Sequence, residues 1–302
     1  MLETILDRAL QQLHRGETTS TVHQFCRQLS ELRLRSDDQY WNEVARPFCA
    51  RHEINQILLQ DPHTARAREK PRGYAGDAVM LDHHYFRTPP PDISDIGRRI
   101  FEGTTSTVGA EGVRWRLQYL AQEIDRLAAG GREPRILSLA CGHLREAGMS
   151  AALRAGRIAK IYAVDQDAES LAVVRQDYGS LAVEIIHRPM RDILNRALPL
   201  PALDLAYAAG LYDYLPEPVA QTLTACLFDR LAPGGKLIVP NFLADNMVRG
   251  YMELFMDWNL IVRSPAQIEA LDAAVDAAQI AQRRYHQDPF GTVGYLELVK
   301  RG

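Results

Sequence analysis

The residue types that could do chemistry gather in a few short stretches. In the first, 135–165, an apolar run R-I-L-S-L breaks at Ala140, Cys141 and Gly142. A helical run follows, and a second apolar run ends in Asp165. The small-residue turn of such a β-α-β unit lets a ligand approach the backbone, and the next helix offers free N–H groups at its start. Asp165 stands 23 residues after Gly142 at the tip of the second strand, where it can accept both hydroxyls of a ribose. A second stretch, 61–93, sets Lys70, Arg72, Tyr74, Asp77, His83, His84 and Tyr85 around Pro71, Gly73 and Gly76. Charge and aromatics in a glycine-bearing loop are where function concentrates. The competing reading is a solvated linker. The adjacent histidines do not read as a metal pair, because neighbours on a helix point to different faces.

Two ligand classes use a turn of this kind. A dinucleotide wants G-x-G-x-x-G/A, whose third small residue lets helix and strand close around a pyrophosphate. Here those positions are Ala140, Gly142 and Arg145, and the long arginine disfavours that ligand. S-adenosylmethionine carries no phosphate and tolerates a looser turn. The stretch resembles motif I of class I S-adenosylmethionine-dependent methyltransferases, a hydrophobic strand followed by x-G-x-G-x-G. Ala140 and Leu144 stand in place of two of its three glycines. An ordinary α/β crossover is the plain alternative.

Other elements must position these residues. Residues 1–60 are helical by period, with stripes at Leu2, Ile5, Leu6, Leu10 and Leu13, at Phe25, Cys26, Leu29 and Leu32, and at Trp41, Val44, Ala45 and Phe48. Such a layer is expected to cover something. After the stiff Pro89-Pro90-Pro91 spacer, Val113, Leu117, Leu120, Ile124 and Leu127 mark a long helix ended by Gly130-Gly131. Strands are expected near 135–140, 160–165, 181–187, 203–207 and 236–241. Helices are expected over 216–231, 245–256 and 265–278, and a closing hairpin near 280–285 and 294–299. The alternation predicts an α/β fold, the Rossmann-like class I methyltransferase arrangement. Its sheet would have seven mostly parallel strands and an antiparallel last hairpin, under an N-terminal helical lid layer. The expected division is 1–108 for the helical layer and lid, and 109–302 for the S-adenosylmethionine-binding catalytic domain.

Ligands in open α/β sheets bind at the carboxyl ends of the strands. Ala140, Cys141, Gly142 and His143 would face the amino-acid part of the cofactor. Asp165, followed by Gln166, would take the ribose, and a helix N-cap is the bland reading of that acid. Met190 and Arg191 would flank the adenine, with Asp192 near its exocyclic amine. The stretch 207–212, with Tyr207, Ala209, Gly210 and Tyr212, would lie under the sulfonium, where aromatic faces contribute ~0.5–2 kcal/mol of cation–π attraction. Plain packing is the alternative for these tyrosines.

Composition narrows the classes. The chain has 302 residues, 46% hydrophobic and 24% charged, and a net charge of −3, which is ordinary for a globular enzyme. No basic block suggests nucleic acid. The N-terminus carries acids inside its apolar stretch, unlike a signal peptide, and no run reaches the ~18 apolar residues of a membrane span. Cys26, Cys49, Cys141 and Cys226 lack paired spacing, which argues for a reducing cytoplasm and against a metal site. The expected partner is a small-molecule substrate, with the chain a monomer or homodimer.

Five blocks together sharpen the resemblance: 70–82 (K-P-R-G-Y-A-G-D-A-V-M-L-D), 139–142 (L-A-C-G), 164–167 (V-D-Q-D), 209–215 (A-G-L-Y-D-Y-L) and 241–263. From about residue 55 onward the chain resembles the subgroup that holds the bacterial synthases of 3-hydroxy fatty-acid methyl esters and the azetidine-2-carboxylate synthases. The resemblance implies S-adenosylmethionine as ligand, within small-molecule natural-product or signal biosynthesis, and leaves two reactions open. In the first, methyl passes to a carboxylate or hydroxyl oxygen of a small acid. No base is needed for a carboxylate, Arg72 would hold the acid by a bidentate contact, and Tyr74 would wall the sulfonium. No Ser-His-Asp or Cys-His constellation competes. In the second, the cofactor's α-amine attacks its own γ-carbon and methylthioadenosine leaves, with Asp77 or Asn241 as the acceptor. A non-catalytic S-adenosylmethionine-binding module is a third reading.

Overall fold

The computed structural model describes residues 1–302. Two compact units divide the chain. One is Met1–Arg114, Asp245–Asn259 and Pro289–Thr292, and the other is Trp115–Ala244, Leu260–Asp288 and Val293–Gly302.

The second unit is built on one sheet. Its strands are β1 (Arg135–Leu139), β2 (Lys160–Asp165), β3 (Val183–His187), β4 (Leu203–Tyr207), β5 (Leu231–Phe242), β6 (Ile280–Gln287) and β7 (Val293–Lys300). Their order is β3-β2-β1-β4-β5-β7-β6. β1 to β5 run parallel, and β7 enters antiparallel between β5 and β6. This is the seven-stranded Rossmann-like arrangement expected from the alternation of elements. β1 exposes only Arg135 and β4 is otherwise buried around a half-buried Asp204, as continuous apolar runs covered on both faces should be. β6 closes the edge and carries exposed Arg283 and Arg284, charges that discourage pairing with another strand. Leu223, Leu227 and Phe228 of the helix Glu217–Asp229 pack with Leu137, Leu139, Leu237, Val239, Leu296 and Leu298 of the sheet.

One topological fact positions the site. The chain moves outward from β1 to β2 and β3, then returns to lay β4 on the other side of β1. Crossovers on opposite sides leave a crevice beyond the carboxyl ends of β1 and β4.

The first unit is helical and has a core of its own, with Leu6, Phe25, Leu29, Trp41, Ile54, Phe101 and Phe255 buried. The expected boundary near residue 109 falls inside the helix Val108–Ala128. The late helix Arg249–Phe255 also belongs to this unit. Its Phe255 ring lies 5.5 Å from Phe25, and Gly250 meets the backbone of Leu29 so closely that a Cβ there would lie 2.3 Å from the carbonyl carbon. The local sequence of 245–256 shows a helix but not the partner it packs on. The stretch 61–93 is not mainly loop either. It holds the helices Pro62–Glu69 and Ala78–Phe86. Asp61 and Asp77 cap them, Asp61 accepting the N–H groups of His63 and Thr64 and Asp77 that of Met80.

Two expected helices shrink. The run at 245–256 is helical only over Arg249–Phe255, and that at 265–278 only over Pro265–Glu269, followed by single turns Ala270–Asp272 and Ala277–Gln279. In the second case the Asp276 carboxylate accepts Ala278 N–H and closes a turn in place of a helical bond.

Candidate active site

The turn after β1 keeps glycine geometry with few glycines. Ala140, Gly142 and Leu144 all have φ near +50°: 52°, 53° and 50°. These are the three positions where the x-G-x-G-x-G motif places glycine. The two non-glycine residues each carry roughly 1–2 kcal/mol of left-handed strain. The turn brings its N–H groups to the tip of β2. Gly142 N–H donates to Asp165 Oδ2 at 2.8 Å, and Asp167 N–H donates to Oδ1 at 2.9 Å. Asp165 is not the N-cap of the following helix. Asp167 is, accepting Glu169 N–H at 3.0 Å and Ser170 Oγ at 2.7 Å. Asp165 is 7% exposed, and burial raises its carboxyl above the ordinary range against the pull of its backbone donors. A carboxylate has about four acceptor positions, and the N–H groups of Gly142, Asp167 and Gln166 take up most of them, leaving about one for a ribose. Gln166 contributes its carbonyl to His187 Nε2 at 2.9 Å.

Other residues of this turn have plain jobs. Arg145, which breaks the dinucleotide pattern, pairs with Asp177 at 2.6 Å and reaches His143 Nδ1 at 3.3 Å. Cys141 lies between acids, and burial with Asp165 and Glu146 pushes its thiol well up, so it is no thiolate nucleophile at neutral pH. After β3, Met190 precedes the short helix Arg191–Leu194 half-buried, Arg191 is exposed, and Asp192 lies 3.9 Å from Arg188.

The tip of β4 is a buried polar cluster. Tyr207 donates to Glu146 Oε1 at 2.8 Å, and Ser138 Oγ reaches the same oxygen at 3.3 Å. Burial raises Glu146 and Tyr207 alike, Tyr207 further through the acid beside it. Ala209 and Gly210, half-buried, follow β4. Tyr212 is fully buried, its hydroxyl 3.0 Å from Thr224 Oγ1. Asp213 accepts Phe242 N–H at 2.7 Å, and burial raises its carboxyl to about 6 against the pull of Arg116 and Arg263. Buried Arg263 donates to the carbonyls of Tyr212 and Leu215, at 3.0 and 2.6 Å, and to Asn241 Oδ1. Asn241 in turn donates to the Phe242 and Ile261 carbonyls. The amide of Asn241 is thus committed within the protein, and so is the hydroxyl of Tyr212. Both hold the β4 and β5 tips in place.

One residue of this cluster escapes a reading by motif. Arg116 is 2% exposed, and its Nη1 has no hydrogen-bond partner. Its Nη2 stands 3.8 Å from where a Cβ on Gly210 would lie. The sequence holds a signal for it. Val113, Arg116 and Leu120 fall in one helical stripe, so a charge sits in phase with the buried face.

Three candidates lie in the first unit. Arg72 and Tyr74, both half-buried, sit in the turn between Pro62–Glu69 and Ala78–Phe86. Asp77 is buried, caps the second of these helices and takes both its oxygens to Arg66, at 2.9 and 2.7 Å. That forked pair and the cap leave it little to offer a ligand's amine.

No family model and no curated protein matches this chain. Solved structures do. A possible exported protein from Bordetella parapertussis is 14% identical, with 100% of this chain and 97% of that one covered at a TM-score of 0.60. Magnesium protoporphyrin IX methyltransferase from Synechocystis PCC 6803 is 12% identical over 79% of this chain and 99% of that one, at 0.48. A putative O-methyltransferase from Nostoc punctiforme PCC 73102 is 14% identical over 82% and 72%, also at 0.48. At these identities the first likeness concerns the fold alone, and the other two are too loose to carry an argument. No helix is long and apolar enough to cross a membrane.

Proposed function

We propose that this chain is an S-adenosylmethionine-dependent enzyme that passes the cofactor's methyl group to an oxygen of a small acid. The observation that carries the reading is Asp165. It sits at the carboxyl end of β2, buried and tied to Gly142 N–H, with acceptor capacity left beside its backbone donors. Beside it, the turn 140–144 keeps the left-handed backbone of a nucleoside-binding loop although two of its glycines are absent. Glu146, Asp213 and Asp165 are buried carboxyls whose neutral forms are favoured by burial, so a cation such as a sulfonium would suit them better than a pyrophosphate. A carboxylate acceptor needs no base, and neither the Cys141 thiol nor the Tyr207 hydroxyl is placed to act as one at neutral pH. Rate would come from alignment and exclusion of water.

The test is to incubate the purified protein with S-adenosylmethionine, alone and with a panel of hydroxy acids, and to identify the adenosyl product by mass spectrometry. S-adenosylhomocysteine formed only with an acid supports methyl transfer. Methylthioadenosine formed without any acceptor replaces it with cyclisation of the cofactor. Absence of both products, together with no calorimetric binding of S-adenosylmethionine, removes the reading.

A further inference from the structure

The guanidinium of Arg116 is the least explained charge in the second unit. It comes from the helix Val108–Ala128, lies 2% exposed, and leaves Nη1 with no partner. Burying an unpaired charge costs several kcal/mol, so a site that keeps one is normally completed by something else. Two acids lie close enough to feel its charge, Glu146 and Asp213. Neither bonds to it. Glu146 is engaged by the Tyr207 and Ser138 hydroxyls, and Asp213 by Phe242 N–H. Arg116 Nη2 stands beside Gly210, just after the tip of β4 and next to the switch point, with the glycine leaving room there.

We propose that Arg116 is the receptor for the α-carboxylate of an amino-acid-bearing nucleoside thioether bound in this crevice, with Glu146 facing its ammonium group. The proposal rests on the S-adenosylmethionine reading above and adds to it the residue that recognises the tail. A planar guanidinium matches a carboxylate by two parallel N–H···O bonds. The acids beside it choose the ligand class. A phosphate dianion would bring two more negative charges beside Glu146 and Asp213, where Arg263 is already committed to the Tyr212 and Leu215 carbonyls and to Asn241. A zwitterion brings a positive group for the acids along with the negative group for Arg116.

The test compares ligands that share the adenosine and thioether but differ in the tail. Calorimetry measures S-adenosylhomocysteine and 5′-methylthioadenosine on the wild type, Arg116→Met and Arg116→Lys. Arg116→Met should weaken S-adenosylhomocysteine about 100-fold and leave methylthioadenosine within about twofold, and Arg116→Lys should recover part of the loss. Equal loss of both ligands makes Arg116 a structural residue, and no loss of S-adenosylhomocysteine moves it to the acceptor's side. Either result overturns the proposal. Should Arg116→Met not fold, the wild type alone decides. Decarboxylated S-adenosylhomocysteine should bind about 100-fold more weakly than the parent, and equal binding overturns the assignment. A wild type that binds none of these nucleosides refutes the cofactor reading itself, an outcome distinct from selective failure of the variant.

Discussion

Gly142 N–H and Asp165 Oδ2 lie 2.8 Å apart, so one hydrogen bond ties the turn after β1 to the tip of β2. The bond fixes the carboxylate before any ligand arrives. The following helix is capped by Asp167 instead.

Asp165→Ala should weaken S-adenosylmethionine by about 2–4 kcal/mol, because the ribose loses a charged acceptor. Calorimetry measures this directly. Affinity close to wild type would leave Asp165 a structural tie for Gly142 and nothing more.

Ala140→Gly should stabilise the protein by up to about 1 kcal/mol. Alanine at φ 52° carries left-handed strain that glycine lacks, less the extra entropy that glycine loses on folding. Thermal unfolding of the two proteins checks it, and a clear fall in melting temperature would mean the alanine methyl makes contacts worth more than the strain.

Asp213→Asn should reveal a pH-dependent difference in stability. Burial raises the folded carboxyl from 3.8 to about 6. A raised carboxyl contributes stability that is fully present below its unfolded value and is lost as pH rises through about 6. The wild type should therefore lose up to ~3 kcal/mol relative to the asparagine variant between pH 4 and pH 8, at 1.36 kcal/mol per unit. Urea titrations of both proteins at several pH values give the difference. A flat difference would show that Arg116 and Arg263 hold Asp213 ionised throughout.

Gly250→Ala should destabilise the first unit by more than about 2 kcal/mol, since the new methyl would lie 2.3 Å from the Leu29 carbonyl carbon and 2.6 Å from Ser30 N. The melting temperature should fall clearly. An unchanged value would mean the helix Arg249–Phe255 can shift away from Thr19–Leu34 at little cost.

The sequence by itself determined the second unit to a large degree. Strand periodicity, the small-residue break at 140–142 and the acid ending β2 are local signals, and local signals suffice where one element follows the next in a right-handed crossover. The turn shows where residue identity stops short. Ala140 and Leu144 read as departures from a glycine motif, yet the backbone keeps the motif's positive φ because the strand, the Asp165 bond and the buried Leu144 side chain over-determine it. Only the tertiary structure decided the rest. Asn241, read from sequence as a group that meets a ligand, is spent on Arg263 and on backbone carbonyls, and the Tyr212 hydroxyl bonds Thr224, which bears on its hydroxyl and not on its ring face. Asp77 is spent on Arg66 and on its own helix. Arg249–Phe255 packs with helices encoded at the other end of the chain. In each case the deciding quantity is a distance between residues far apart in sequence, and a hydrogen-bonding side chain carries no local mark of whether its partner is a ligand or the protein. Arg116 is the reverse case. Its helical phase marks it as buried, but only the tertiary structure shows that its Nη1 has no hydrogen-bond partner.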